Sequence, residues 1–148
     1  MTKYCDDAVY GNNGYTDTLI ILQPSDDAAT KQWGNEWCTP TYTQWKELME
    51  YCEYSRATVN GVLGSRYTAS NGNSIFLPAA GSYEDARPIN VGAAGNYWSK
   101  TLAGYSTFFS YDDGPHCRLA FHTYGELHFM ESYYRFRGYT VRPVKVNR

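Results

Sequence analysis

Charge is scarce in this chain and evenly split. Its 148 residues carry 13 basic and 15 acidic side chains, a formal net charge of −2. That balance lacks the basic surplus that marks a nucleic-acid surface, so nucleic acid is not an expected partner. Long apolar runs are missing as well. None approaches the roughly 20 residues of a membrane-spanning helix, so membrane insertion is not expected. Met1-Thr2-Lys3-Tyr4-Cys5 has no apolar core of the kind a secretory leader needs. Cysteine is sparse: Cys5, Cys38, Cys52 and Cys117 include no C-x-x-C pair, which argues against a zinc ribbon or a dithiol redox motif. Their pairing is open from sequence alone. No G-x-S-x-G elbow, P-loop or G-x-G-x-x-G is present. Gly92-Ala93-Ala94-Gly95 has the wrong pattern for phosphate. No cofactor is expected.

Rings are abundant instead. Aromatic residues make up 17% of the chain, and 15 of them are tyrosines. They crowd into residues 95–144, which hold Tyr97, Trp98, Tyr105, Phe108, Phe109, Tyr111, Phe121, Tyr124, Phe129, Tyr133, Tyr134, Phe136 and Tyr139. So many rings on so few strands cannot all be interior. Tyrosine gives rigid, amphipathic contact area at low entropic cost, so the segment reads as a recognition surface.

The element pattern divides the chain. Residues 1–17 read as an irregular lead-in and 18–22 as a short apolar strand. Ser25 or a nearby aspartate caps a helix that Gly34 ends after Trp33. Thr41 and Gln44 form a capping box, followed by Trp45, Leu48, Met49 and Cys52 as one apolar helical stripe. Beyond Ser55 the pattern is extended. Strands are expected at 66–68, 74–78, 96–99, 118–122, 126–130 and 139–144, with a long surface excursion over 79–95. A tight connection at Thr123-Tyr124-Gly125 joins the strands at 118–122 and 126–130. Period-two alternation then turns Leu119, Phe121, Leu127 and Phe129 inward and Arg118, His122, Glu126, His128 and Met130 outward. Two helices followed by mostly antiparallel strands predict an α+β fold and one domain over 1–148.

Several residue groups have the types that chemistry requires. His116, His122 and His128 recur every six residues, and exposed contacts explain them better than a zinc site. Asp112-Asp113-Gly114 lacks the D-x-D-x-D-G run of a calcium loop. The neighbouring carboxylates Asp26-Asp27 and Glu84-Asp85 suit capping and loop charge, not a glycosidase pair. Arg137 and Arg142 are expected to hold the last strand through backbone carbonyls. No catalytic and no metal residues are assigned.

Asp26-Asp27-Ala28-Ala29, Trp33-Gly34, Trp37-x-x-Pro40-Thr41 and Trp45-x-x-Leu48 resemble the Fibrobacter-type major paralogous domain family. So do Gly72-Asn73-Ser74-Ile75-Phe76-Leu77-Pro78-Ala79-Ala80-Gly81, Tyr97-Trp98-Ser99 and Arg137-Gly138-x-x-Val141-Arg142-Pro143-Val144, in the same order along nearly the whole chain. Cys38 and Lys100 depart from the pattern. The resemblance implies a C-type-lectin-like fold of the sulfatase-modifying-factor type, found on bacterial surfaces and in phages. Some such domains are the variable proteins of diversity-generating retroelements, in which adenine-directed mutagenesis rewrites C-terminal codons. Tyr105, Tyr111, His122, Tyr124, His128 and Tyr133 fit rewritten asparagine codons. Met130 and Glu131 do not, which limits the retroelement reading or marks those positions as fixed.

The expected function is non-enzymatic binding of a protein or glycan on another cell or particle, at a bacterial surface or on a virion. Assembly into an oligomer would add avidity. The expected contact residues are Trp98, Tyr105, Phe108, Tyr111, His122, Tyr124, His128, Met130, Tyr133 and Phe136. The alternatives are an enzyme on a formylglycine-generating-enzyme-like scaffold and a structural or adhesion module of a larger surface protein. A C-terminal cysteine pair serves that enzyme chemistry, and only Cys117 lies in this half.

Overall fold

The computed structural model describes residues 1–103 and 117–146, the side chains of Cys117 and Leu119 excepted. Over these residues the chain is α+β, mostly antiparallel strand with few helices. Local chemistry sets both α-helices. Helix α1 (Ala28–Trp33) starts at Asp27, whose carboxylate accepts the Ala29 N–H, and stops at Gly34, whose φ of 88° suits glycine. Asp27 is almost fully buried and also accepts from the Thr39 N–H at 2.8 Å, which ties the helix to the strand that follows. That strand is β1 (Trp37–Cys38). Helix α2 (Tyr42–Tyr51) has both halves of its capping box: Thr41 Oγ1 accepts the Gln44 N–H, and Gln44 Oε1 accepts the Thr41 N–H. It ends where Cys52 turns extended.

Eight strands follow: β2 (Cys52–Val59), β3 (Val62–Ala69), β4 (Ser74–Pro78), β5 (Ser82–Glu84), β6 (Arg87–Ile89), β7 (Ala94–Leu102), β8 (Cys117–Tyr124) and β9 (Leu127–Tyr134). A last short strand, β10 (Val144–Lys145), pairs with β1. The two main sheets are β2-β3-β4 and β7-β8-β9, both antiparallel, and β5-β6 is a small hairpin. Asn60 and Gly61 turn β2 into β3 with φ of 50° and 80°, the left-handed pair that a two-residue hairpin loop requires.

Several expectations give way here. Cys52 opens β2 instead of closing the helical stripe. Strand β2 is polar in composition and is not among the expected strands. The excursion over 79–95 contains the β5-β6 hairpin. The expected final strand over 139–144 is reduced to a bridge between Thr140 and Tyr97, with β10 beyond it. The Arg137 side chain pairs with Glu84, its Nη2 lying 2.9 Å from Oε1, and so links the C-terminal segment to β5.

The core gathers Trp45 of α2, Tyr67 of β3, Leu77 of β4, Tyr97 of β7 and Phe121 of β8. Trp45 stacks on Phe121, with ring centres 4.8 Å apart and planes 12° apart. Burying each of these large side chains contributes roughly 2–3 kcal/mol. Tyr97 donates its hydroxyl hydrogen to the Pro78 carbonyl, joining the two main sheets. Gly64 is required for close approach: a Cβ there would collide with the Leu77 carbonyl oxygen and the Phe76 ring. No helix among the described residues is long and apolar enough to cross a membrane.

Candidate binding surface

Strand register decides which side chains meet solvent. The β8-β9 connection is a two-residue loop, Gly125-Glu126, with Tyr124 opposite Leu127. Phe121 therefore pairs with Met130, and His122 with Phe129. A connection at Thr123-Tyr124-Gly125 has the opposite parity, and changing parity turns every β9 side chain over. The expected orientation of β9 is corrected accordingly. Phe121 is inward as expected, but it brings Met130 and His128 in with it. Leu127 and Phe129 face out, 64% and 39% exposed.

The outer face of β7-β8-β9 carries Asn96 and Trp98 from β7, Arg118, His122 and Tyr124 from β8, and Leu127, Phe129, Glu131 and Tyr133 from β9. Tyr139 joins them because the chain after β9 runs beside β7. The Thr140 N–H donates to the Asn96 carbonyl at 2.9 Å, and the Trp98 N–H to the Thr140 carbonyl at 3.0 Å. Tyr139 then lies 4.6 Å from the Trp98 ring, centre to centre.

His122 is central to this face. It is 5% exposed, beneath Phe129 (5.3 Å, stacked), Tyr133 (4.8 Å) and Tyr139 (5.5 Å, edge-on). Its Nδ1 lies 2.7 Å from Asn96 Oδ1, which can only accept. An accepting Asn96 oxygen places the proton on Nδ1 and leaves Nε2 as the acceptor. Nε2 is buried, with no hydrogen-bond partner among the described residues. Burial holds the imidazole pKa down to about 4, so the ring is neutral at pH 7. Arg118 underlies the other end. Its Nε donates to the Ser99 carbonyl and its guanidinium sits 5.2 Å from the Trp98 ring. Burial lowers its pKa to about 10, which leaves it cationic.

The expected contact residues thus separate. Tyr124 is 57% exposed beside Leu127, and Phe136 is 74% exposed and stacks on Tyr134 at 5.4 Å. Tyr133 is half-buried at the centre of the face. Trp98 and His122, expected at the surface, are its buried floor. His128 and Met130 belong to the opposite side: His128 lies between the Tyr54 and Tyr67 rings, and Met130 packs against the core. His122 and His128 are consequently on opposite faces of the sheet. Tyr105, Phe108, Tyr111 and the loop at Asp112-Asp113-Gly114, with His116, lie outside the described residues. Leu127, Phe129 and Tyr139 were absent from the expected set. The first two were lost to the parity of one turn. Tyr139 had a signal in Arg137-Gly138-Tyr139-Thr140, where a glycine precedes a ring returning to the sheet.

Cys5, Cys38 and Cys52 are free thiols. Burial pushes the Cys38 thiol pKa up, which makes it a poor nucleophile at neutral pH. Searches of family models, curated proteins and solved structures found no match to this chain.

Proposed function

We propose that this chain is a non-enzymatic recognition domain that binds a protein or glycan on another cell or particle through the outer face of β7-β8-β9. The observation that carries this reading is the run of solvent-facing Tyr124, Leu127 and Phe129 around half-buried Tyr133, over a packed floor of Trp98, His122 and Tyr139. Apolar side chains exposed together on one sheet face, above a rigid aromatic layer, form a preorganised contact patch. Phe136 and Tyr134 extend the exposed rings beyond the end of β9.

The scaffold reading is C-type-lectin-like, of the sulfatase-modifying-factor type, and the setting is a bacterial surface or a virion. The sequence resemblance supports it, and so does the order of two helices followed by antiparallel strands. The retroelement reading rests on the same resemblance; Met130, which packs on the core, and Glu131, which is exposed on the outer face, both fall outside rewritten asparagine codons.

The test uses alanine at Tyr124, Leu127, Phe129 and Phe136 in the full chain. Fluorescently labelled protein is scored for binding to a panel of intact bacterial cells, alongside thermal unfolding. The reading predicts binding losses of tenfold or more for at least two variants, with melting temperatures within about 3 °C of wild type. Drops beyond about 10 °C at these positions would show that the face is structural.

A further inference from the structure

Strand β2 is one edge of the β2-β3-β4 sheet. It pairs with β3 residue for residue from Cys52 to Val59, with no bulge. Sheet edges are usually blunted by proline, lysine, a bulge or a covering segment. The other edge of this sheet, β4, ends at Pro78, and Thr140 borders β7. Strand β2 contains no proline, glycine or lysine. The Asn60-Gly61 loop makes Val59 and Val62 a hydrogen-bonded pair, so Tyr54, Arg56 and Thr58 aim their backbone N–H and C=O groups away from β3. Those groups have no hydrogen-bond partner among the described residues, and Ser55, Arg56 and Thr58 are exposed. Arg56 shares the inner row with Tyr54, opposite buried Ser65, and its side chain has no ion-pair partner among the described residues.

We infer that β2 is the interface of a symmetric dimer, in which β2 of a second copy of this chain lies antiparallel against it and joins the two three-stranded sheets into one. The side chains set the register. With Ser55 opposite Ser55 of the second copy, residues 52–58 of both strands overlap, Arg56 faces Tyr54 of the second copy, and Glu53 faces Ala57. A guanidinium beside an aromatic ring is favourable, and the Tyr54 ring is held by the bond its hydroxyl donates to the Gly125 carbonyl. Sliding two residues one way sets Arg56 against Arg56, and sliding the other way shortens the overlap to 52–56. The same cation selects the occupant. An apolar strand of another protein would meet Arg56 in its own buried row, whereas a second copy meets it with a ring. The inner faces of the joined sheet lie on one side, so both β7-β8-β9 layers lie on that side. That placement adds avidity on the recognition reading, but the pairing itself does not depend on that reading.

Sedimentation velocity of the full chain, from about 1 to about 200 µM, reads the association in the range expected of a small, polar interface. Ser55→Cys then tests the register. Its thiols stand in directly opposed, non-hydrogen-bonded positions, where Cα atoms about 4.5 Å apart suit a disulfide. The expected result is a dimer at about 100 µM and a disulfide-linked dimer of Ser55→Cys well above the background that the native cysteines give in wild type. Ser74→Cys, exposed on β4, should stay at that background. Arg56→Glu should weaken the association at least tenfold. A chain that stays monomeric throughout overturns the inference and leaves the edge to a strand of another protein. A dimer whose Ser55→Cys form cross-links no more than wild type overturns it as well, because the copies then meet elsewhere. The wild-type measurement needs no variant to fold. If it shows a monomer while the surface variants still lose cell binding, the dimer fails and the recognition face stands.

Discussion

Asp27 and His122 are buried titratable residues of opposite design. Asp27 is saturated with partners: it accepts from the Ala29 and Thr39 N–H groups and from the hydroxyls of Thr30 and Thr39. Asp27→Ala strands those donors and removes the α1 cap, so urea unfolding should show a loss of about 3 kcal/mol. His122 has one side-chain hydrogen-bond partner, Asn96, among the described residues. Its folded pKa, about 4, lies below the ordinary value of 6.5. The unfolded chain therefore binds the proton first as pH falls, and stability declines between pH 6.5 and 4 by about 3 kcal/mol from this residue. Above pH 6.5 the effect vanishes. His122→Phe should flatten that part of the curve relative to wild type. Equal slopes in both proteins would show that the imidazole titrates normally. The role of Asp27 was half visible in sequence, since an aspartate before an alanine-rich turn reads as a cap. Its bonds to Thr39 depend on a strand twelve residues away and were not visible. The burial of His122 was invisible for the same reason: the rings over it come from β9 and from Tyr139.

The helices were legible because their signals are local. Thr41 and Gln44 close their box within four residues, and Trp45, Leu48 and Met49 fall on one stripe. Thr41→Ala should cost about 1 kcal/mol in the same urea assay. Strands were harder. In β2, Glu53, Ser55, Arg56 and Thr58 give no apolar signature, and the strand is held by pairing with β3 along its whole length. In β9, Leu127-His128-Phe129-Met130 alternates whichever way it faces, because histidine and methionine pack inside as readily as leucine and phenylalanine stand outside. Only the turn parity chooses, and Gly125 with φ of 58° permits turns starting at several positions. Gly64 shows the reverse case, a residue whose role appears only in tertiary contact. Gly64→Ala pushes β3 away from Leu77 and Phe76 and should lower stability by about 2 kcal/mol or more.

At the scale of the whole molecule, two antiparallel sheets and α2 share one core, and β7-β8-β9 has a second aromatic layer on its other side. The crowding of rings in the C-terminal third told correctly that they exceed what one core absorbs. It did not tell that the surplus splits between a buried floor and an exposed rim. Hydroxyl-radical footprinting of the folded chain, normalised residue by residue to the urea-unfolded chain, distinguishes the two. The account predicts strong modification of Tyr124, Leu127 and Phe129 with protection of Phe121, Tyr97 and Met130. Strong oxidation of Met130 together with protection of Leu127 and Phe129 would invert the face and contradict the proposal.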